Sequence, residues 1–468
     1  MEAGPIAAPE QPALTHFEPP KPVSSPPPDS EATPAAPSVW PLWQRILFRF
    51  FFVYLALQVS PWEFFSRWIP PVAWVNGYYY RGLDRLVRWS NANLFHGWTT
   101  LVQPNGSGDT SWVYTELKLF LVVAVAACVI WSIADRKRAN YTRLLFWLRM
   151  SVRYYVAAAA LSYGVIKLFL LQMPFPTLSQ LSTPLGDLLP MRFSWLFIGY
   201  SAKYQFFSGA METFAGLLLL YRRTITAGLF AATGAFANVV MINMAYDVPV
   251  KLYSSHLLFC SLFLLALDAP RLIKFLVLNQ PAPATTAWDW NFTRPWQIWG
   301  SRAVKAYLVA TLLVMQVNYG WKGFQSLRHP PKPGPFAAGV YEVRQYVVNH
   351  DTIPAGRGDT LRWKDVIIDN NAAGSVNTSD RVFWHRYGRG YFRYRPDTAA
   401  HTLAVWKTST VPRDSTFLFV MRYEMPDTTT IRFHTVVRGD SVHVELVRTT
   451  RHFQLAEGQF HWLSEYNR

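Results

Sequence analysis

Acidic charge and cysteine are what this chain has least of. Asp and Glu total 29 against 45 Lys and Arg, and charged residues make up only 16% of the 468, where soluble domains carry about 25%. So sparse a charge cannot cover a soluble surface of this size. The two cysteines, Cys128 and Cys260, both fall inside long apolar runs, and there is no CxxC or CxxCH. That excludes a disulfide framework, a cysteine zinc site and c-type haem attachment. No pair of histidines has haem-ligand placement, so no metal is expected. Any redox chemistry would need a cofactor or a partner. The net charge of +16 would suit nucleic acid, but the basic residues flank apolar runs and form no basic stripe, so no nucleic-acid partner is expected.

What is abundant is aromatic and apolar. Trp, Tyr and Phe number 20, 23 and 32, the composition of membrane helices with aromatic belts at the headgroup level. Residues 1–38, rich in Pro, Ala, Ser and Glu, lack a basic segment followed by an apolar one. They are expected to be a disordered tail, not a cleaved leader. Seven apolar runs follow, at 44–59, 117–134, 145–171, 193–220, 227–245, 252–267 and 303–318. Each is near the roughly 20 residues that cross hydrocarbon.

Basic residues mark alternate boundaries: Arg45 and Arg49, Arg136 to Arg138, Arg222 and Arg223, Arg271 and Lys274. The positive-inside rule then places the N-terminus in the cytoplasm. Seven spans place the C-terminus outside, so the expectation is a multi-pass protein of the cell membrane. Membrane lipid is its first partner.

From residue 334 the period changes to two. Eight short runs, 339–348, 360–369, 381–387, 390–395, 401–407, 416–423, 430–437 and 441–448, predict an all-β antiparallel barrel or sandwich over 334–468, beyond a helical domain at 39–330. This outer domain would dock a partner or substrate. A turn at Gly439 and Asp440 would set His434 across from Glu445, with His443 on the same face.

The polar residues inside the apolar runs are the candidate site, because an ionisable group in hydrocarbon costs about 2.5 kcal/mol or more. By helical spacing, Arg153, Ala157, Ala160, Gly164 and Lys167 share one face, and Tyr204, Ser208, Glu212 and Gly216 another. The small residues would let two helices approach closely. Glu212 is the candidate acid, with Lys167 and Arg153 as countercharges. Asn238, Asn243, Asp247, Lys251 and His256 would line a polar pocket opening outward. Such a pocket could hold a quinone head group or relay protons. The bland alternative is a buried ion-pair network that fixes helix register.

Two of these stretches carry a resemblance. Y-G-V-I-K (Tyr163 to Lys167) followed by G-A-M-E-T-F-A-G-L-L-L-L (Gly209 to Leu220) resembles the DoxX-like superfamily. Its members show G-x-x-K near one helix end and G-x-x-E-x-x-x-G-L-L-L-L later, in a four-helix bundle. Gly164, Lys167, Gly209, Glu212 and Gly216 fall on those positions, and the likeness covers 149–267. It implies a membrane subunit, since some members serve thiosulfate–quinone or other redox complexes. It also implies a redox protein as partner, where a binding role without chemistry would instead call for an envelope protein. A related branch, the HTTM domain, occurs in vitamin K-dependent carboxylases, with an outer β-rich part. Three readings stay open: a subunit with a quinone- or lipid-binding pocket, a membrane-anchored binding or envelope protein without chemistry, and a quinol-dependent carboxylase. Whether the chain is an enzyme stays open with them.

Overall fold

The computed structural model describes Gly4 and residues 39–66, 69–283, 285, 292–328, 334–356, 362–380, 382–408, 416–458 and 463. Nearly all of the expected tail at 1–38 lies outside them. The chain has a helical N-terminal part and a C-terminal closed antiparallel β-barrel of eight strands.

The helices are α1 (Leu42–Val59), α2 (Glu63–Ser66), α3 (Pro70–Ser90), α4 (Ser111–Ala134), α5 (Thr142–Leu168), α6 (Leu178–Leu181), α7 (Pro190–Tyr200), α8 (Ala202–Leu220), α9 (Ile225–Ala245), α10 (Lys251–Ala266), α11 (Ala269–Leu276) and α12 (Pro295–Arg328). Five are long and apolar enough to cross a membrane: α1 continued through α2, α4, α5, α9 and α12. The pair α10 and α11 makes a sixth if its 76° bend lies within one span. A chain with this many such helices is a membrane protein. The apolar run 193–220 is broken at Ser201, whose side chain accepts the Tyr204 amide and starts α8 afresh. Helix α8 is long enough at 19 residues, but with Lys203, Gln205 and Glu212 it is not apolar enough to be among the five.

Helices α5, α8, α9 and α10 pack in a ring, each against the next, and α5 with α8 is the most extensive pair. Glycine makes that pair possible. A Cβ on Gly164 would stand 2.6 Å from the Thr213 amide nitrogen, and one on Gly216 2.7 Å from Leu161 Cγ. Ala157 and Ala160 are buried on the same face of α5. Buried Arg49 ties α1 to the end of α4: it donates to Ser132 Oγ, the Asp135 carbonyl and the Tyr141 hydroxyl at 2.8–3.0 Å. Arg45 donates to the Arg138 carbonyl at 3.0 Å. The start of α1 and the end of α4 therefore share one end of the helical part.

The strands are β1 (Gly339–Val348), β2 (Asp351–Thr352), β3 (Asp365–Ile368), β4 (Ala373–Val376), β5 (Trp384–Arg386), β6 (Arg389–Asp397), β7 (Thr402–Lys407), β8 (Phe417–Glu424), β9 (Thr430–Val437) and β10 (Asp440–Arg448). Pairing runs from β1 through β3, β4, β6, β7, β8 and β9 to β10, and β10 closes on β1 from Tyr341 opposite Arg448 to Val348 opposite Val442. Closure decides for a barrel over a sandwich. Seven of the eight expected runs are barrel strands. The exception is 381–387, which forms β5, a short strand paired only to β6; β4 takes its place in the ring. The barrel interior is filled with aromatic and aliphatic side chains, leaving a cavity of only about 10 Å³. Phe336 packs edge-on against Tyr423 and Phe433 within it.

The expected register of the last hairpin is corrected. The turn residues are Arg438 and Gly439, at φ of 55° and 94°, the positive pair that a two-residue hairpin turn requires. His434 therefore faces His443, and Glu445 faces Arg432, with which it forms a salt bridge at 2.8 Å. Burial, with the neighbouring His443, pushes His434 below its ordinary pKa.

The barrel is held to the helical part by a buried polar chain. Ser179 on α6 donates to both oxygens of Asp369, through its amide at 3.1 Å and its hydroxyl at 2.7 Å. Ser375 donates to Ser179, and Arg389 donates to Ser375 and pairs with Asp365. Burial outweighs these hydrogen bonds and raises the Asp369 carboxyl above its usual value. A raised carboxyl in the docked state favours docking below the ordinary carboxylate pKa, and that gain is lost as pH rises through the raised value. Acidification below neutrality should therefore slow hydrogen exchange at residues 177–183, after correction for intrinsic rates. Asp369→Asn should remove the dependence while keeping the contact. Protection that grows with rising pH would contradict the sign.

Candidate functional site: a carboxylate- and tyrosine-lined cavity

The expected pocket residues do not converge. Lys167 and Glu212 do meet, as an ion pair between α5 and α8 with side chains 7% and 4% exposed. The pair is sealed. Glu212 Oε2 is buried with no hydrogen-bond partner among the described residues, and so is the neighbouring Thr213 Oγ1. Arg153 lies 14 residues before Lys167 on the same helix, about 21 Å along its axis. Its guanidinium donates to the carbonyls of Leu219 and Leu220, at 2.6 and 3.0 Å. It caps the end of α8 and is no countercharge to Glu212.

The remaining residues scatter. Asn238 is exposed on α9 and lines neither of the two large cavities of the helical part. Asn243 is buried and donates to Ser254 Oγ at 2.9 Å, joining α9 to α10. Asp247 is 81% exposed and pairs with Lys251 at 2.7 Å, a surface pair worth little. The backbone amides of Lys251 and Leu252 are capped instead by Asp109, at 2.8 and 3.0 Å. That capping carboxylate lies far back in the sequence and was not among the expected residues.

His256 is the exception, because it reaches a cavity. The cavity holds about 560 Å³ between the ends of α1 and α2, the faces of α3, α4 and α5, and the start of α10, within the range of small-molecule sites. Glu63 and Glu116 both line it. Glu116 lies within electrostatic range of Glu63, and neither carboxylate has a salt bridge or hydrogen bond among the described residues. Tyr79, Tyr80, Tyr155, Tyr163 and Tyr253 supply phenol walls. His256 is oriented at both ring nitrogens, with Nδ1 on the Leu252 carbonyl at 2.8 Å and Nε2 against the Tyr54 hydroxyl. The carbonyl can only accept, so Nδ1 carries the proton and Nε2 accepts from Tyr54.

The cavity's outer wall is fixed by Asp84 on α3. It accepts from Arg88 at 2.9 Å, Gln103 at 2.7 Å and the Trp112 indole at 2.8 Å. The Arg88 hydrogen bond, first among these, holds its carboxyl below the usual range. Tyr163 stands at the inner edge, lining the cavity while lying within electrostatic range of Glu212. Chemically, the cavity offers two free carboxylates, a histidine of fixed tautomer and several phenols around an apolar-walled space. It can exchange protons and hydrogen-bond a flat polar head group.

No family model matches the chain, and no solved structure matches it. Among curated proteins, an uncharacterized protein, YwoB, from Bacillus subtilis (strain 168) is 37% identical over 75 residues. That stretch is 16% of this chain and 49% of the relative. The chain thus spans about half the length of the curated relative it matches.

Proposed function

We propose that this is a multi-pass membrane protein, of DoxX-like type in its α5, α8, α9 and α10 core, that binds a quinone- or lipid-like ligand in the cavity bearing Glu63, Glu116 and His256. The observation that carries the reading is the meeting, in one cavity of the helical part, of an oriented histidine with two carboxylates that have no partner among the described residues. A quinone ring gains hydrogen bonds at its carbonyl oxygens from the phenols, while His256, its Nδ1 proton held by the Leu252 carbonyl, shapes the wall. Reduction and oxidation of such a ring move protons, which the two carboxylates can take up or release. Lys167 and Glu212 then hold α5 to α8 and keep Tyr163 at the cavity edge.

With α8 counted beside the five long helices and the bent pair, seven spans put the start of α1 in the cytoplasm and the barrel outside. Arg45, Arg49 and Arg136 to Arg138 gather at the cytoplasmic end in this arrangement. The filled barrel leaves no interior room for a ligand, so it would dock a redox or envelope protein, or a substrate, on its outer surface. The reading as an anchored binding protein without chemistry, and that as a quinol-dependent carboxylase, both need the barrel to do more than this.

The test is native mass spectrometry of the protein in mild detergent, titrated with a short-chain ubiquinone analogue. With the analogue reduced to its hydroquinone, whose hydroxyls donate to carboxylates, binding should weaken about tenfold or more in Glu116→Gln and in Glu63→Gln, the loss of a charged hydrogen-bond acceptor. A wild-type protein that takes up no analogue, or carboxylate variants that bind it unchanged, would overturn the reading.

A further inference from the structure

A second cavity, of about 660 Å³, lies between residues 61–65, α5 and the first half of α12. It shares no lining residue with the first. Its walls are apolar, built from Phe64, Phe65, Phe146, Trp147, Met150 and Trp296. Among the described residues, Lys305 is the one charged group of the lining, and no carboxylate is there. Lys305 is exposed, and no hydrogen bond or ion pair holds it among the described residues. The charges of Arg153 and Arg222 reach it, and Arg302 stands one turn earlier on α12. Lys305 thus stands at a hydrocarbon-walled groove whose described lining holds no acid.

An ammonium on an apolar membrane helix is costly unless its stem extends to an anion. The walls favour acyl chains, and the cations favour a phosphate. We propose that this groove is a binding site for an anionic diacyl phospholipid, with its phosphate on Lys305 and an acyl chain along the aromatic wall. The groove is deepened by small residues, Ser151, Gly300 and Ser301. Gly300 gives a clean handle, because a Cβ there meets nothing within 4 Å. A larger side chain at that position enters the groove without disturbing the helix, and replacing a helical glycine favours the fold.

The experiment reconstitutes the full-length protein in nanodiscs of equal phosphatidylglycerol and phosphatidylcholine, extracts it into mild detergent and counts retained lipids by native mass spectrometry. Wild type should retain phosphatidylglycerol about tenfold over phosphatidylcholine. Lys305→Gln should lose that preference, and Lys305→Arg should keep it. Gly300→Leu should lose both lipids with its Tm unchanged or raised. Equal retention of the two lipids by wild type would overturn the proposal. So would unchanged selectivity in Lys305→Gln, or unchanged retention in Gly300→Leu. Inorganic phosphate that displaces the lipid, and still binds Gly300→Leu, would assign the cations to free phosphate and also overturn it.

Discussion

Replacing Glu212 with leucine should cost about 3–5 kcal/mol, because it strands the Lys167 ammonium between α5 and α8 without its partner. The size follows from burial: the two side chains are 7% and 4% exposed, so solvent cannot take up the uncompensated charge. The pair itself contributes less than its removal costs. Desolvating both ions offsets most of their attraction, and Glu212 Oε2 has no partner among the described residues, so the network is only half satisfied. The double variant Lys167→Met with Glu212→Leu should therefore recover most of the loss. Thermal unfolding of both singles and the double closes the cycle. A double variant as unstable as the two singles combined would mean that the charges do more than hold two helices together.

The pair was legible in the sequence because its surroundings repeat at helical spacing. Gly164 and Lys167 on one run, and Gly209, Glu212 and Gly216 on another, each mark a single face with small residues around one charge. Two such faces have few ways to pack other than against each other. The barrel was legible for a similar reason, since period-two alternation survives in β8 and β9 as alternately buried and exposed residues. Strand β4 was not. Ala373, Gly374, Ser375 and Val376 show no alternation, because the site needs small residues: a Cβ on Gly374 would stand 2.3 Å from the Ile367 carbonyl and 2.8 Å from the Phe392 ring.

The cavity was illegible for another reason. Its lining comes from six helices between Leu57 and His256, so no window of sequence contains its pattern. Glu63 reads as an interfacial residue beside Trp62, and Glu116 as a charge in the first turns of an apolar helix. Only the packing of α2 on α3 and of α3 on α4, the latter fastened by Asp84, brings the two carboxylates to one space. Arg153 misled for the converse reason. It shares a face with Lys167, but a shared face on a long helix is not a shared site, and the end of α8 captured it first.

The closest helix crossing makes the largest stability prediction. A Cβ on Gly209 would stand 2.7 Å from the Gly164 carbonyl oxygen, 2.7 Å from Lys167 Cβ and 2.8 Å from the Leu168 amide nitrogen. Two of those three atoms are backbone and cannot turn aside, so the helices themselves must separate. Gly209→Val should destabilise the protein by more than about 4 kcal/mol, in the exceptional range for one substitution. Gly234→Ala is the control. A Cβ there meets nothing within 4 Å, so the same loss of a helical glycine should stabilise by up to about 1 kcal/mol. The two variants differ in what the new methyl groups touch, and the gap in Tm measures how tightly α5 and α8 are joined. Separation would also carry α5 outward with Tyr155 and Tyr163, both walls of the carboxylate cavity. A milder variant, Gly209→Ala, should therefore weaken quinone-analogue binding as well as stability. Ligand binding that survives a clear drop in Tm would show that the cavity is anchored by α3, α4 and α10 rather than by the glycine crossing.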